Sequence, residues 1–127
     1  MTAMVDLIEA YAADKKAIDL VRLDVAELLG YTDHFVIATG NTDRQVKAIH
    51  DGILAGMKAD HGTIPRRVEG LPESSWILMD YSDVVVHLFT PEAREFYRLE
   101  QLWGEAPRRA VAERIAADGL YRQRVQA

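Results

Sequence analysis

Apolar residues recur along this chain with two different periods, and the switches between them mark out its elements. Val5, Ile8 and Ala12, with Leu7 and Tyr11 beside them, fall at helical spacing behind Thr2, a candidate cap, and predict a first helix to about Asp14. In Ile18–Val25 the period shortens to two, and Val21, Leu23 and Val25 share one face of a predicted strand. Past the Leu29-Gly30 break, Phe35-Val36-Ile37-Ala38-Thr39 reads as a short, central strand stopped by Gly40-Asn41. Thr42-Asp43-Arg44-Gln45 then has the form of a capping box, in which the Thr hydroxyl and the Gln amide satisfy backbone donors that a helix start leaves unpaired. Val46, Ile49, Ile53 and Met57 mark one face of the helix that follows, and Gly62 marks its left-handed stop. Gly52 and Gly56 weaken that helix by up to about 1 kcal/mol each, a cost that close packing against the sheet would explain.

Arg67-Val68-Glu69-Gly70 reads as a short edge strand, and a loop through Pro72 and Ser75 leads to the most informative stretch. Trp76–Tyr81 and Val84–Phe89, joined by Ser82-Asp83, form a predicted antiparallel hairpin with so few polar positions that both faces of its strands should be covered. Thr90 as cap, Pro91 at the first helical position and Glu92 in the first turn start another helix. Gly104 is expected to end it, with Phe96, Leu99 and Trp103 as its buried stripe. Beyond Pro107 only Val111, Ile115, Leu120, Tyr121 and Val125 offer apolar anchors in a charged, alanine-rich run. The expected organisation is one domain over residues 1–104, with 105–127 as a peripheral helix or flexible tail. The element order gives an α/β (α+β) fold, a mixed five-stranded sheet packed with helices.

A chain of 127 residues, 49% hydrophobic, can bury one core but is short for two. No run approaches the roughly 18 apolar residues of a membrane span, and Met1-Thr2-Ala3-Met4-Val5-Asp6 lacks the basic region of a secretion signal, so a cytoplasmic protein is expected. The absence of cysteine removes disulfides, thiolate metal sites and thiol nucleophiles. Twenty acidic residues against 15 basic ones give a formal charge of −5, which repels phosphate backbones and disfavours direct DNA binding. A basic protein is the electrostatic complement, and the same charge also serves solubility alone.

Few residues carry candidate chemistry. His34, His50, His61 and His87 form no metal-binding motif; His50 and His61 share a helical face about three turns apart. His87, inside an apolar strand, is expected to be a hydrogen-bonded structural residue. Asp80 and Asp83 bracket the hairpin turn as a magnesium-binding pair would, but turn closure accounts for Asp83 more simply. The Thr39-Gly40-Asn41-Thr42-Asp43 loop leads a strand into a helix N-terminus, as phosphate sites do. It lacks the Walker lysine and further glycines, and Asp43 puts negative charge where the anion would lie. With no Gly-x-Ser-x-Gly elbow either, no catalytic, metal or cofactor-binding residue is assigned. Trp76 has two readings, a core plug or, with Leu78 and Asp80 on the same strand face, an anchor for a partner.

The run from Tyr31-Thr32-Asp33-His34-Phe35 through Gly40-Asn41-Thr42-Asp43-Arg44-Gln45-Val46 resembles the signature of the ribosomal silencing factor, or Iojap-like, family. Glu69-Gly70, Trp76 through Phe89, and Arg94-Glu95-Phe96-Tyr97-Arg98-Leu99-Glu100-Gln101-Leu102-Trp103 follow its pattern in the same order, from near Lys15 to Trp103. The tail from Gly104 onward matches no part of that core. The resemblance implies a nucleotidyltransferase-like fold without enzymatic activity, since fold lineage does not confer chemistry; the alternative is a nucleotidyltransferase-like enzyme or a vestigial nucleotide-binding protein. It implies a homodimer that binds the large ribosomal subunit through its fourteenth protein. There it keeps the small subunit from joining and lowers translation when nutrients are scarce. On the family's partner-binding strand it places Trp76, Ile77, Leu78, Asp80 and Tyr81, with Asp83 beyond them. The alternating pleat cannot expose all of these, so some must support the surface from inside.

Overall fold

The two most continuously apolar runs of the chain lie side by side at the centre of one mixed sheet. The computed structural model describes residues 3–98 and the backbone of 108–110. Thr2, Leu99, Trp103, Gly104 and the apolar positions from Val111 to Val125 lie outside the described residues. The elements are α1 (Met4–Asp14), β1 (Ile18–Asp24), α2 (Ala26–Leu29), β2 (His34–Thr39), α3 (Asp43–His61), β3 (Arg67–Glu69), β4 (Trp76–Asp80), β5 (Val84–Phe89), α4 (Pro91–Tyr97) and β6 (Arg108–Ala110). The sheet order is β3-β4-β5-β2-β1-β6. Among the described strands only β2 and β5 run parallel, in register from His34 opposite Val84 to Thr39 opposite Phe89. The five predicted strands are all present in a mixed sheet, compatible with the nucleotidyltransferase-like expectation. A sixth, β6, comes from the segment read as a tail and pairs antiparallel with Val21–Leu23 of β1.

Helices α1 and α3 cover one face. Val5, Ile8 and Ala12 of α1 and Val46, Ile49, Ile53 and Met57 of α3 meet Leu20, Val36, Ala38, Ile77, Met79, Val86 and Leu88 of the sheet in one core. The opposite face gathers Leu23, Val25, Phe35, Ile37, Val85, Phe89 and Ala93, with Val21, Leu29, Trp76 and Leu78 partly buried against them. Val21, Leu23 and Val25 therefore do share a face, away from α1 and α3. A charged pair is buried as well: Glu9 of α1 is fully buried and accepts from Arg22 Nε of β1 at 2.8 Å, the partnering a buried carboxylate requires.

Four details differ from expectation. The glycines of α3 approach α1, not the sheet: a Cβ on Gly56 would lie 2.5 Å from the Tyr11 ring, and one on Gly52 2.5 Å from the Lys15 side chain. The capping box is half made, because Thr42 Oγ1 accepts from Gln45 N at 3.1 Å while the Gln45 amide donates across to the Lys15 carbonyl. A single turn, α2, fills the break before Gly30, which closes it in the left-handed region at φ 77°. Finally, α4 ends at Tyr97 rather than Gly104, with Arg98 left-handed at φ 49°. The face of α4 that packs inward is set by Ala93, which is buried, so Phe96 is turned to solvent and is no part of a buried stripe.

Candidate functional site

Strand β4 sits between the short edge strand β3 and the fully buried β5, so one of its faces is sealed and the other only partly covered. Ile77 and Met79 are completely buried towards α3, and Tyr81, just past the strand, is buried on the same side. Trp76, Leu78 and Asp80 alternate onto the opposite face and stay half-buried. The expectation that both strands are covered on both faces thus holds for β5 and fails for β4. Of the six residues placed on the partner-binding strand, the structure brings Trp76, Leu78 and Asp80 together on one surface. Ile77 and Tyr81 lie beneath it in the core, and Asp83 is exposed beyond the turn.

Trp76 is fixed from several directions. Its Nε1 donates to Nδ1 of His87 at 3.2 Å, and its ring lies 5.0 Å from Phe89 and 4.4 Å from Tyr97 between centroids. His87 stands opposite Leu78 in the ladder and meets Phe35 edge-on at 4.7 Å. Since Nδ1 accepts, the neutral ring carries its proton on Nε2, which is buried without a partner among the described residues. Burial pushes the His87 pKa down to about 4, so the ring is neutral near pH 7. Burial likewise pushes the Tyr81 phenol up to about 12, and no hydroxyl partner is found for it among the described residues.

At the turn the Asp80 carboxylate is engaged by its own neighbours. Asp80 Oδ1 accepts from Ser82 N at 2.8 Å, and Oδ2 lies 3.7 Å from Arg67 Nε on β3. It is Asp80, not Asp83, whose side chain closes the turn, holding Ser82 at φ 74°. Asp83 contributes its backbone carbonyl, which accepts from Asp33 N and His34 N at 3.0 and 3.1 Å. The histidines are dispersed too: His50 Nδ1 lies 2.9 Å from Asp51 Oδ1, and His61 Nε2 lies 2.9 Å from the Tyr11 hydroxyl. Among the described residues no three His, Asp or Glu side chains gather as metal ligands, and no helix is long and apolar enough to cross a membrane.

The loop that leads from β2 into α3 is a packing device. A Cβ on Gly40 would stand 2.7 Å from Val46 N, so only glycine lets the strand end pass this close beneath the helix. Arg94 of α4 locks the same corner, its Nη1 donating to the Asp19 carbonyl and to Thr39 Oγ1, each at 2.7 Å. Periodicity gave no signal for Arg94, nor for Tyr97 as the neighbour of Trp76. Both lie in the Arg94–Trp103 block that carries the family resemblance.

A solved structure of a protein from Chromobacterium violaceum superposes with a TM-score of 0.75 at 34% identity, over 79% of this chain and 82% of that one. The ribosomal silencing factor of Bacillus subtilis is 42% identical over 94 residues, 74% of this chain and 79% of the relative. The chloroplastic protein Iojap of Arabidopsis thaliana is 37% identical over 95 residues, 75% of this chain but 39% of the longer plant protein. A family model described as ribosomal silencing factor during starvation matches residues 1–126, tail included, and the chain belongs to that family.

Proposed function

We propose that the protein docks on the large ribosomal subunit, through the subunit's fourteenth protein, with the Trp76, Leu78 and Asp80 face of β4. Occupying the joining surface, it keeps the small subunit away and represses translation under nutrient limitation. The observation that carries this reading is an indole held rigidly at a half-open sheet face in a chain of the ribosomal silencing factor family. Rigid aromatic anchors ringed by apolar and charged neighbours are the usual energetic centres of protein interfaces. The action is steric, without catalysis, cofactor or metal, and takes place in the cytoplasm with the ribosomes. Cosedimentation with purified large subunits, followed by cross-linking to identify the contacted protein, tests the assignment. Cross-links from β4 to the fourteenth protein are expected, and failure to cosediment would overturn it.

The protein is also proposed to form a homodimer. The family resemblance motivates this, and Leu28, Tyr31, Ile64 and Leu71 are large apolar side chains left at least 43% exposed, available to a second copy of the chain. Light scattering at micromolar concentration should give twice the chain mass of 14.3 kDa, and a single-chain mass would contradict the dimer.

A further inference from the structure

Beside the β4 face, α4 ends in two aromatic side chains that turn outward. Phe96 is 79% exposed and Tyr97 47%. Neither ring stands alone: Tyr97 lies against Trp76, and Phe96 meets Tyr97 edge-on at 5.0 Å and 87°. The start of α4 is tied to the same strand, because Thr90 N donates to the carbonyl of Ser75, the residue before Trp76, at 2.9 Å. At its end the left-handed Arg98 stops the helix directly after Tyr97. Trp76, Tyr97 and Phe96 therefore form one aromatic strip from the sheet onto the helix, and its outer end is a ring open to solvent.

An aromatic face carries partial negative charge and attracts cations. Glu92 is exposed one turn before Phe96, at the i,i+4 spacing that puts both on one side of the helix. The adjoining Glu95 side chain, 75% exposed, holds Arg98 at 2.7 Å. With Glu95 paired to Arg98, Glu92 is the carboxylate that adjoins the open ring. In a chain of formal charge −5 the ring and Glu92 together are complementary to a basic side chain and a poor match for an acidic or purely apolar one.

We propose that Phe96, with Glu92 beside it, receives an arginine or lysine of the protein that docks on Trp76, so that the docking surface continues from β4 onto α4 and fixes the partner's orientation. This rests on the β4 docking reading. Affinity for purified large subunits, measured at low and high salt, tests it in five variants. Phe96→Ala and Phe96→Leu should each weaken binding about tenfold, while Phe96→Trp, with the stronger cation-binding ring, keeps it. Glu92→Gln should weaken binding and flatten its salt dependence. Parent affinity in Phe96→Leu would overturn the cation-receiving role, since leucine keeps the apolar bulk and loses the ring face. Both side chains are exposed, so folding is not at stake. Trp76→Ala separates the two levels: if it alone weakens binding, this inference fails and docking through β4 stands. If it too binds like the parent, the docking reading fails and the inference with it.

Discussion

An indole that spends its only donor inside the fold has nothing but ring surface left for a partner. Trp76 is in that position, its Nε1 committed to His87 and one side of its ring against Tyr97. Core plug and interface anchor, alternatives in the sequence, are compatible in one half-buried residue, and the proposed docking through β4 gives Trp76 both roles. Trp76→Ala should therefore cost about 2 kcal/mol of stability, less than the roughly 3 to 5 of a fully buried tryptophan, together with about 2 kcal/mol or more of binding. Urea unfolding beside subunit cosedimentation measures both, and full binding at parent stability would contradict the assignment. His87 makes a separate prediction. Its folded pKa of about 4 lies below the ordinary 6.5, so between those values the unfolded chain binds the extra proton and folding opposes it. The contribution is intact above about pH 6.5 and is lost as pH falls towards 4. Stability should drop by about 2 kcal/mol between about pH 7 and pH 5, and His87→Gln should remove that part of the slope. Equal pH dependence in the two proteins would refute it. Among single residues the sequence pointed rightly to His87 as a hydrogen-bonded structural histidine. It could not show the buried Glu9 and Arg22 pair, whose members lie 13 residues apart on different elements.

Elements were legible where one periodicity ran long enough to outweigh its neighbours. Helix α3 spans Asp43–His61 with the predicted inward face and the predicted Gly62 stop, and β2 and β5 fall where continuous apolar runs placed them. What periodicity does not encode is the identity of the element lying across a face. Gly52 and Gly56 announced a close approach but not its partner, which is α1. The four residues of α2 and the three of β6 are too short to establish any period. The early stop of α4 depends on a left-handed Arg98, a conformation no composition rule assigns to arginine. The α1 contact yields a test with a clear sign. Alanine ordinarily improves a helix over glycine by up to about 1 kcal/mol. Gly56→Ala should instead destabilise by about 1 to 3 kcal/mol, because its methyl would enter the Tyr11 ring. Gly56→Ala combined with Tyr11→Ala should recover part of that loss. A stabilised single variant in thermal unfolding would show that the two helices are not in contact.

For the whole molecule, the candidate site was legible as a strand but not as a surface. Family resemblance named six residues on or beside β4, and only the pleat and the cover from β5 and α3 separate Trp76, Leu78 and Asp80 from Ile77 and Tyr81. The exposed Phe96 on α4 stayed hidden because it was read into a buried stripe, and the half-exposed Tyr97 beside it because periodicity gave it no role. The proposed action of this small acidic domain is to repress translation by occupying a surface. At about one hundred times its Kd, such a ligand shifts the joining equilibrium by roughly 2.7 kcal/mol, close to a hundredfold. Order of addition separates occupancy from an active mechanism. Sedimentation profiles of ribosomes should be recorded with the protein added before the subunits mix and, separately, after they have joined, at several protein-to-ribosome ratios. Early addition at stoichiometric ratios is expected to leave the subunits apart, whereas late addition acts only as fast as joined ribosomes dissociate by themselves. Rapid splitting of joined ribosomes by substoichiometric protein would contradict it.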